Sequence, residues 1–315
     1  MKKQAPTILL IGMLLIGGSC EKFPPSEYEI GQIDLGSAYD LCVDGDYAYV
    51  TYNEGLSILD ISEKSDPQEI AVVKTSEAAF GILVEGGVAF LGSSGSENLK
   101  IINLDDRHHP EVMSSLSIPG TIYGIAKSNN LLFLSTWEGE FVTVDISDFH
   151  GPVILSNIEC QGNGADLAYY KQQIYYANSQ KGLQLIDVED PEVPGIGITV
   201  PSTRAAWDIH IVDRFIYLGK HNQGFDCIEI KDDSSYATLY SKNNGGEVYG
   251  IYREGDLLYS ADLQNGLEVW DIGNSNNPDL SITLSEYSPH DVVVHNGYVF
   301  LADQDRSFVI LDIQF

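Results

Sequence analysis

From residue 27 onward the apolar residues come in short runs of about four to eight, rich in Tyr, Val, Ile and Leu. Gly, Asn, Asp and Pro separate the runs. This is the pattern of short β-strands joined by tight turns. No stretch there sustains a helical period, so no long helix is expected. The first group of runs reads YDLCVDG, YAYVTYN, LSILDIS and PQEIAVVKT, and each predicts one strand. Gly45-Asp46, Gly86-Gly87, Asn129-Asn130 and Asn296-Gly297 supply turns between the first two strands of their groups.

The groups repeat. An acid or its amide closes an apolar run at Asp60, Asn103, Asp145, Asp187, Glu229, Asp271 and Asp312, at intervals of 43, 42, 42, 42, 42 and 41 residues. A proline stands seven residues later in five of the first six copies: Pro67, Pro110, Pro152, Pro194 and Pro278, with Tyr236 in the remaining one. A second column is aromatic throughout: Tyr49, Phe90, Phe133, Tyr176, Tyr217, Tyr259 and Phe300. A third holds only Asp or Gly: Asp40, Gly81, Gly124, Asp166, Asp208, Gly250 and Asp291. An aliphatic residue always follows it, from Leu41 and Ile82 to Val292. Four strands in a repeat of about 40–45 residues is the signature of a propeller blade.

The predicted fold class is therefore all-β, a seven-bladed β-propeller of four-stranded blades. The sequence stops at Phe315, after the third strand of the seventh copy, and a spare strand, EYEIGQIDL, precedes the first copy. Pairing the two closes the ring and removes the open sheet edges. The expected organisation is a signal peptide at 1–19, a lipidated tether at 20–26 and the propeller at 27–315, with no second domain.

These columns resemble the LVIVD-repeat β-propellers. Gly55-Leu56-Ser57-Ile58-Leu59-Asp60-Ile61-Ser62 carries the resemblance most fully. Gly182-Leu183 with Asp187-Val188, and Gly266-Leu267 with Asp271-Ile272, agree. Copies two, three and seven replace the leading Gly with Asn98, Glu140 and Ser307. The resemblance implies a secreted or surface-anchored bacterial protein and assigns no activity.

The N-terminus agrees with export. Lys2 and Lys3 precede the apolar run Thr7 to Ile16, and small residues Gly17, Gly18 and Ser19 lead into Cys20. This is the three-part pattern of a secretory signal, and it resembles a bacterial lipoprotein signal in which Cys20 becomes the acylated N-terminus. Gly17 stands where that pattern has an aliphatic residue. The expected location is the cell envelope, facing the periplasm or the exterior, with a lipid anchor as the membrane contact. Cys42, Cys160 and Cys227 are widely spaced. They read as small buried hydrophobes, with one disulfide open to them in an oxidising compartment.

Charge narrows the partners. The chain carries 17 Lys and Arg against 46 Asp and Glu, a formal net charge of -29. Phosphate backbones repel such a surface, so no nucleic-acid partner is expected. With 43% hydrophobic residues the chain has ample apolar surface for a core. A monomer is expected, with a protein or glycan ligand.

No nucleophile elbow, zinc-protease helix or phosphate-binding Gly loop is present. No cofactor, metal site or catalysis is expected, and His108-His109 reads as a solvated loop. The aromatic column and the acid closing each third strand read as structural, because a residue present in every blade serves packing and turns. The starts of the innermost strands differ, since they converge on the central channel. Tyr39, Phe80, Tyr123, Ala165, Trp207, Tyr249 and His290 stand just before the Asp/Gly column. Asp40, Asp166, Asp208 and Asp291 are expected near the same mouth, with Arg204 in the loop before Trp207. Loops after the second strands are expected to add Tyr52, Trp137, Lys220, His221, Asp262, Asp303 and Arg306. The candidate ligand set is Tyr39, Asp40, Tyr123, Trp137, Asp166, Arg204, Trp207, Asp208, His221, Tyr249, His290 and Asp291. An aromatic funnel bearing carboxylates suits a sugar, a peptide or a cation. The competing readings are a channel sealed by its own aromatics, and a glycan-active or other hydrolytic enzyme using the mouth carboxylates.

Overall fold

The computed structural model describes residues 26–200, 205–232, 234–273 and 277–314. The signal segment, Cys20 and Arg204 lie outside them. The described residues form seven four-stranded antiparallel sheets. Blades 1 to 6 span 38–74, 79–116, 122–159, 164–199, 208–242 and 248–284. Within each, the strands pair in chain order from the channel outward. Blade 7 takes three strands from 289–311, and its outermost strand is Glu29–Ile33, antiparallel to Ser307–Leu311. The Glu29 carboxylate anchors this closure: it accepts the Tyr287 hydroxyl at 2.8 Å and pairs with the Arg306 guanidinium at 3.0 Å.

Apolar side chains gather into seven clusters, one between each pair of consecutive blades. The aromatic column lies inside them, and Tyr49, Phe90, Phe133, Tyr176 and Phe300 are fully buried. Removing one such side chain from water stabilises the fold by about 1.5–3 kcal/mol. The acids closing the third strands fix the following turn. Asp60, Asn103, Asp145, Asp187 and Asp271 each accept the backbone N–H two residues on, at 2.8–2.9 Å. Cys42 in blade 1, Cys227 in blade 5 and Cys160 just after the last strand of blade 3 are all free thiols, so the disulfide left open by the sequence does not form among them.

A bulge marks the start of the innermost strands. In blades 1, 2, 4, 6 and 7 the register with the second strand skips one residue, and that residue is Tyr39, Phe80, Ala165, Tyr249 or His290. In blade 3 it skips Tyr123 with Gly124. In blade 5 Trp207 immediately precedes the strand Asp208–Val212. A bulge takes a residue out of the ladder and re-aims its side chain; here it turns the side chain toward the channel. Second-strand hydroxyls satisfy the freed amides: Asp40 N–H donates to Thr51 Oγ1 at 3.0 Å, and Gly124 N–H to Ser135 Oγ at 2.9 Å.

Candidate functional site

The re-aimed rings close a circuit at the channel mouth. Centroids lie 4.8 Å apart for Tyr39–Phe80, 4.7 Å for Phe80–Tyr123 and 5.4 Å for Tyr123–Trp137. The circuit continues through Trp137–Trp207 at 5.4 Å, Trp207–Tyr249 at 4.7 Å, Tyr249–His290 at 5.6 Å and His290–Tyr39 at 5.4 Å. All seven rings are half-buried. Blade 4 offers only Ala165 at this level, and Trp137, from the loop after the second strand of blade 3, takes the open place. These contacts lie in the 4.5–7 Å range of favourable aromatic pairs. His221 backs the circuit from outside: it stacks on Trp207 at 5.0 Å, and its Nε2 lies 3.0 Å from the Tyr249 hydroxyl.

The rings touch one another without filling the channel. They line a cavity of about 310 Å³ together with Ala165, Asp40, Asp166, Asp208 and Asp291. Each carboxylate also ties its blade to the next. Asp40 accepts the Ile82 amide at 2.9 Å, Asp166 that of Ile209 at 3.1 Å, Asp208 that of Ile251 at 2.5 Å and Asp291 that of Leu41 at 3.2 Å. The other column members explain themselves by distance. A Cβ on Gly81 would stand 2.2 Å from the Tyr123 carbonyl oxygen, and one on Gly124 or Gly250 would stand 2.8 Å from the Cα of Asp166 or Asp291. Glycine allows neighbouring inner strands to touch, and aspartate spans the gap where they stand apart.

Burial drives the protonation of these acids. It raises the pKa of all four, and mutual charge raises Asp40 and Asp208 further. Asp166 is pushed up to about 6. Asp40 hydrogen-bonds Asp291, and Asp166 hydrogen-bonds Asp208, so two acid pairs form that cannot comfortably ionise in full. Burial also raises the phenols of Tyr39 and Tyr249, pushes that of Tyr123 up to about 12, and lowers His290. The neutral His290 ring donates from Nδ1 to the Ala38 carbonyl at 2.9 Å.

Five residues expected at the mouth belong instead to the scaffold. Tyr52 is buried in the sheet. Lys220 pairs with Asp226 at 2.5 Å, both buried. Arg306 holds the closing strand through Glu29. Asp262 accepts the amides of Glu247, Gln264 and Asn265, and Asp303 those of Ser288, Asp305 and Arg306, all at 2.6–2.9 Å. Asp262 and Asp303 each end a second strand, point under the following loop and cap it. An Asp followed by two turn residues is an Asx signature and was readable as such.

The fold and mouth define a seven-bladed β-propeller with an aromatic-ringed channel. A family model described as the LVIVD repeat matches residues 35–75, 119–158, 245–285 and 288–314. These segments fall on blades 1, 3, 6 and 7. Those four segments carry LVIVD repeats, and the described residues fold as a seven-bladed β-propeller. No curated protein matches it in sequence. Solved structures match it in fold. The WD40 β-propeller domain of Doa1 superposes with a TM-score of 0.73 at 10% identity, covering 91% of this chain and 97% of that one. The Myceliophteria thermophila Cps50 (Swd1) β-propeller domain gives 0.70 at 11%, covering 90% and 99%. The computationally designed Ika8 protein gives 0.67 at 11%, covering 91% and 100%. At these identities the likeness speaks for the fold alone.

Proposed function

We propose that this propeller is an envelope-anchored binding module whose ligand seats in the channel mouth, without catalysis. The observation that carries the reading is the closed aromatic circuit around a cavity. Packing alone would favour rings that fill the channel; these leave a concave, largely apolar space of the kind that holds ligands. The carboxylates support binding over hydrolysis, because each already accepts a neighbouring blade's amide. A general acid or base must instead reach a substrate proton. The anchor rests on the signal-like segment ending at Cys20.

The test is a panel of glycans, peptides and small organic ions, screened for binding and, with chromogenic substrates, for turnover. Binding without turnover, lost in Trp207→Ala, supports the module. Turnover that disappears in Asp208→Asn would establish an enzyme instead. For the anchor, Cys20→Ser is expected to leave the protein soluble or unprocessed; a variant that still fractionates with membranes overturns it.

A further inference from the structure

If the mouth is the binding site, as proposed, its chemistry also selects among ligands. Aromatic faces carry negative charge density and attract cations placed over them. Seven rings surround one space, four carboxylates share its lining, and neither Lys nor Arg lines it among the described residues. An anion is disfavoured by every one of these groups. A neutral sugar could stack on the rings, but its hydroxyls need free polar partners. Three of those at the mouth are already engaged. The Tyr39 hydroxyl donates to Asn53 at 2.6 Å, the Tyr249 hydroxyl pairs with His221, and His290 Nδ1 is taken by Ala38. We propose that the mouth takes a compact organic cation, an alkylated or quaternary ammonium group seated against the ring faces. Such a group carries the charge that the ring faces and carboxylates attract, and asks for few or no hydrogen bonds.

The acid pairs beside the rings make binding proton-linked. A cation favours the ionised form, so its arrival releases a proton held by the pair Asp166–Asp208 or Asp40–Asp291. Affinity therefore rises as pH rises through the range in which these carboxyls ionise. The other groups that face them keep their neutral forms there. The Tyr252 phenol is raised by burial, as are those of the ring, the Cys42 thiol is pushed up to about 12, and His290 is lowered. His221, with Glu247 at 3.8 Å, stands outside the cavity and is the group to be separated by mutation.

Calorimetric titration of the full chain with choline and with tetramethylammonium tests this, with dimethylbutanol, the neutral carbon isostere of choline, as control. The cations are expected to bind at least about tenfold more tightly than the isostere. They are expected to bind more tightly at about pH 8 than at about pH 5, with proton release. Trp207→Ala is expected to weaken binding by roughly tenfold or more, and Tyr249→Phe, which keeps its ring, to preserve it. Melting curves of both variants, with Trp207→Phe beside them, separate lost contact from lost fold. Equal binding of the isostere overturns the proposal, as does a pH dependence that persists in Asp166→Asn and vanishes in His221→Gln. Should a neutral glycan bind through Trp207 while the ammonium probes do not, the mouth remains the site and the cation is refuted. Should nothing depend on Trp207, both readings fall.

Discussion

Replacing Asp166 by Asn should stabilise this protein at alkaline pH and leave it unchanged in acid. The carboxyl is moved from its ordinary 3.8 to about 6, first by burial. Between those values the folded chain holds a proton that the unfolded chain has lost. Its contribution to stability is therefore complete below about pH 4 and lost as pH rises through about 6. At 1.4 kcal/mol per tenfold the full loss is roughly 3 kcal/mol, an upper bound because the paired acid relaxes. Asn has the shape of the protonated acid, still offers an oxygen to the Ile209 amide, and turns an N–H₂ toward Asp208. Near pH 8 the variant should melt up to roughly 5 °C higher for a chain of this length, and near pH 4 it should match the parent. The parent's own pH profile is not enough, because buried His210 acts oppositely. Lowered from 6.5 to about 4, it removes stability as pH falls through that range. The difference between variant and parent cancels His210. Calorimetric melts of both proteins across pH check the sign. A variant less stable at about pH 8, or offset equally at every pH, would refute the argument.

Three further outcomes are expected of the scaffold. Glu29→Ala removes one member of a buried pair with Arg306 and the acceptor of the Tyr287 hydroxyl; it should cost about 3–5 kcal/mol in denaturant melts and speed hydrogen exchange in the closing strand first. Gly250→Ala places a Cβ 2.8 Å from the Cα of Asp291, so it should lower stability by about 1–3 kcal/mol, and a neutral result would show that the inner strands part freely. Lys220→Met leaves the fully buried Asp226 without its cation and should cost about 3–5 kcal/mol, most of it recovered by adding Asp226→Leu, whereas additive losses would deny the coupling.

The blades, their number and the closure were legible because each is written in a spacing. A period near 42 gives the blade, seven recurrences give the ring, and a spare strand facing a missing one gives the seam. The mouth was legible in its residue types, since the position before the Asp/Gly column is aromatic in most copies. Its geometry was not. The bulges that aim Tyr39, Phe80, Tyr123, Tyr249 and His290 depend on which residue drops out of register, and in blades 1 and 3 Thr51 and Ser135 accept the freed amides from the neighbouring strand. Trp137 enters the circuit only because Ala165 leaves room, a fact of packing across blades. Tyr52, Lys220, Asp262, Asp303 and Arg306 were expected in the mouth because loop residues often face a ligand. Each turned inward, where an unpaired loop amide or a buried charge costs more than an exposed side chain gains.

The Asp/Gly column joins the scaffold to the site. Three glycines let inner strands touch, and four aspartates bridge wider gaps to the next blade's amide. Bridging alone needs an oxygen acceptor of that length, which Asn also provides. Asn would avoid the ionisation cost that burial imposes on Asp166 and Asp208 and that pairing adds at Asp208. All four bridging positions are nevertheless acids, and all four line the cavity beneath the aromatic circuit. A scaffold serving only its own stability gains nothing from charge at that depth. A site that attracts a cation does, and losing stability to hold such groups is the usual relation between a fold and its function. Converting the four to Asn in turn should therefore raise the melting temperature at about pH 8 while weakening ammonium binding step by step; a variant that gains stability and keeps full affinity would break the link.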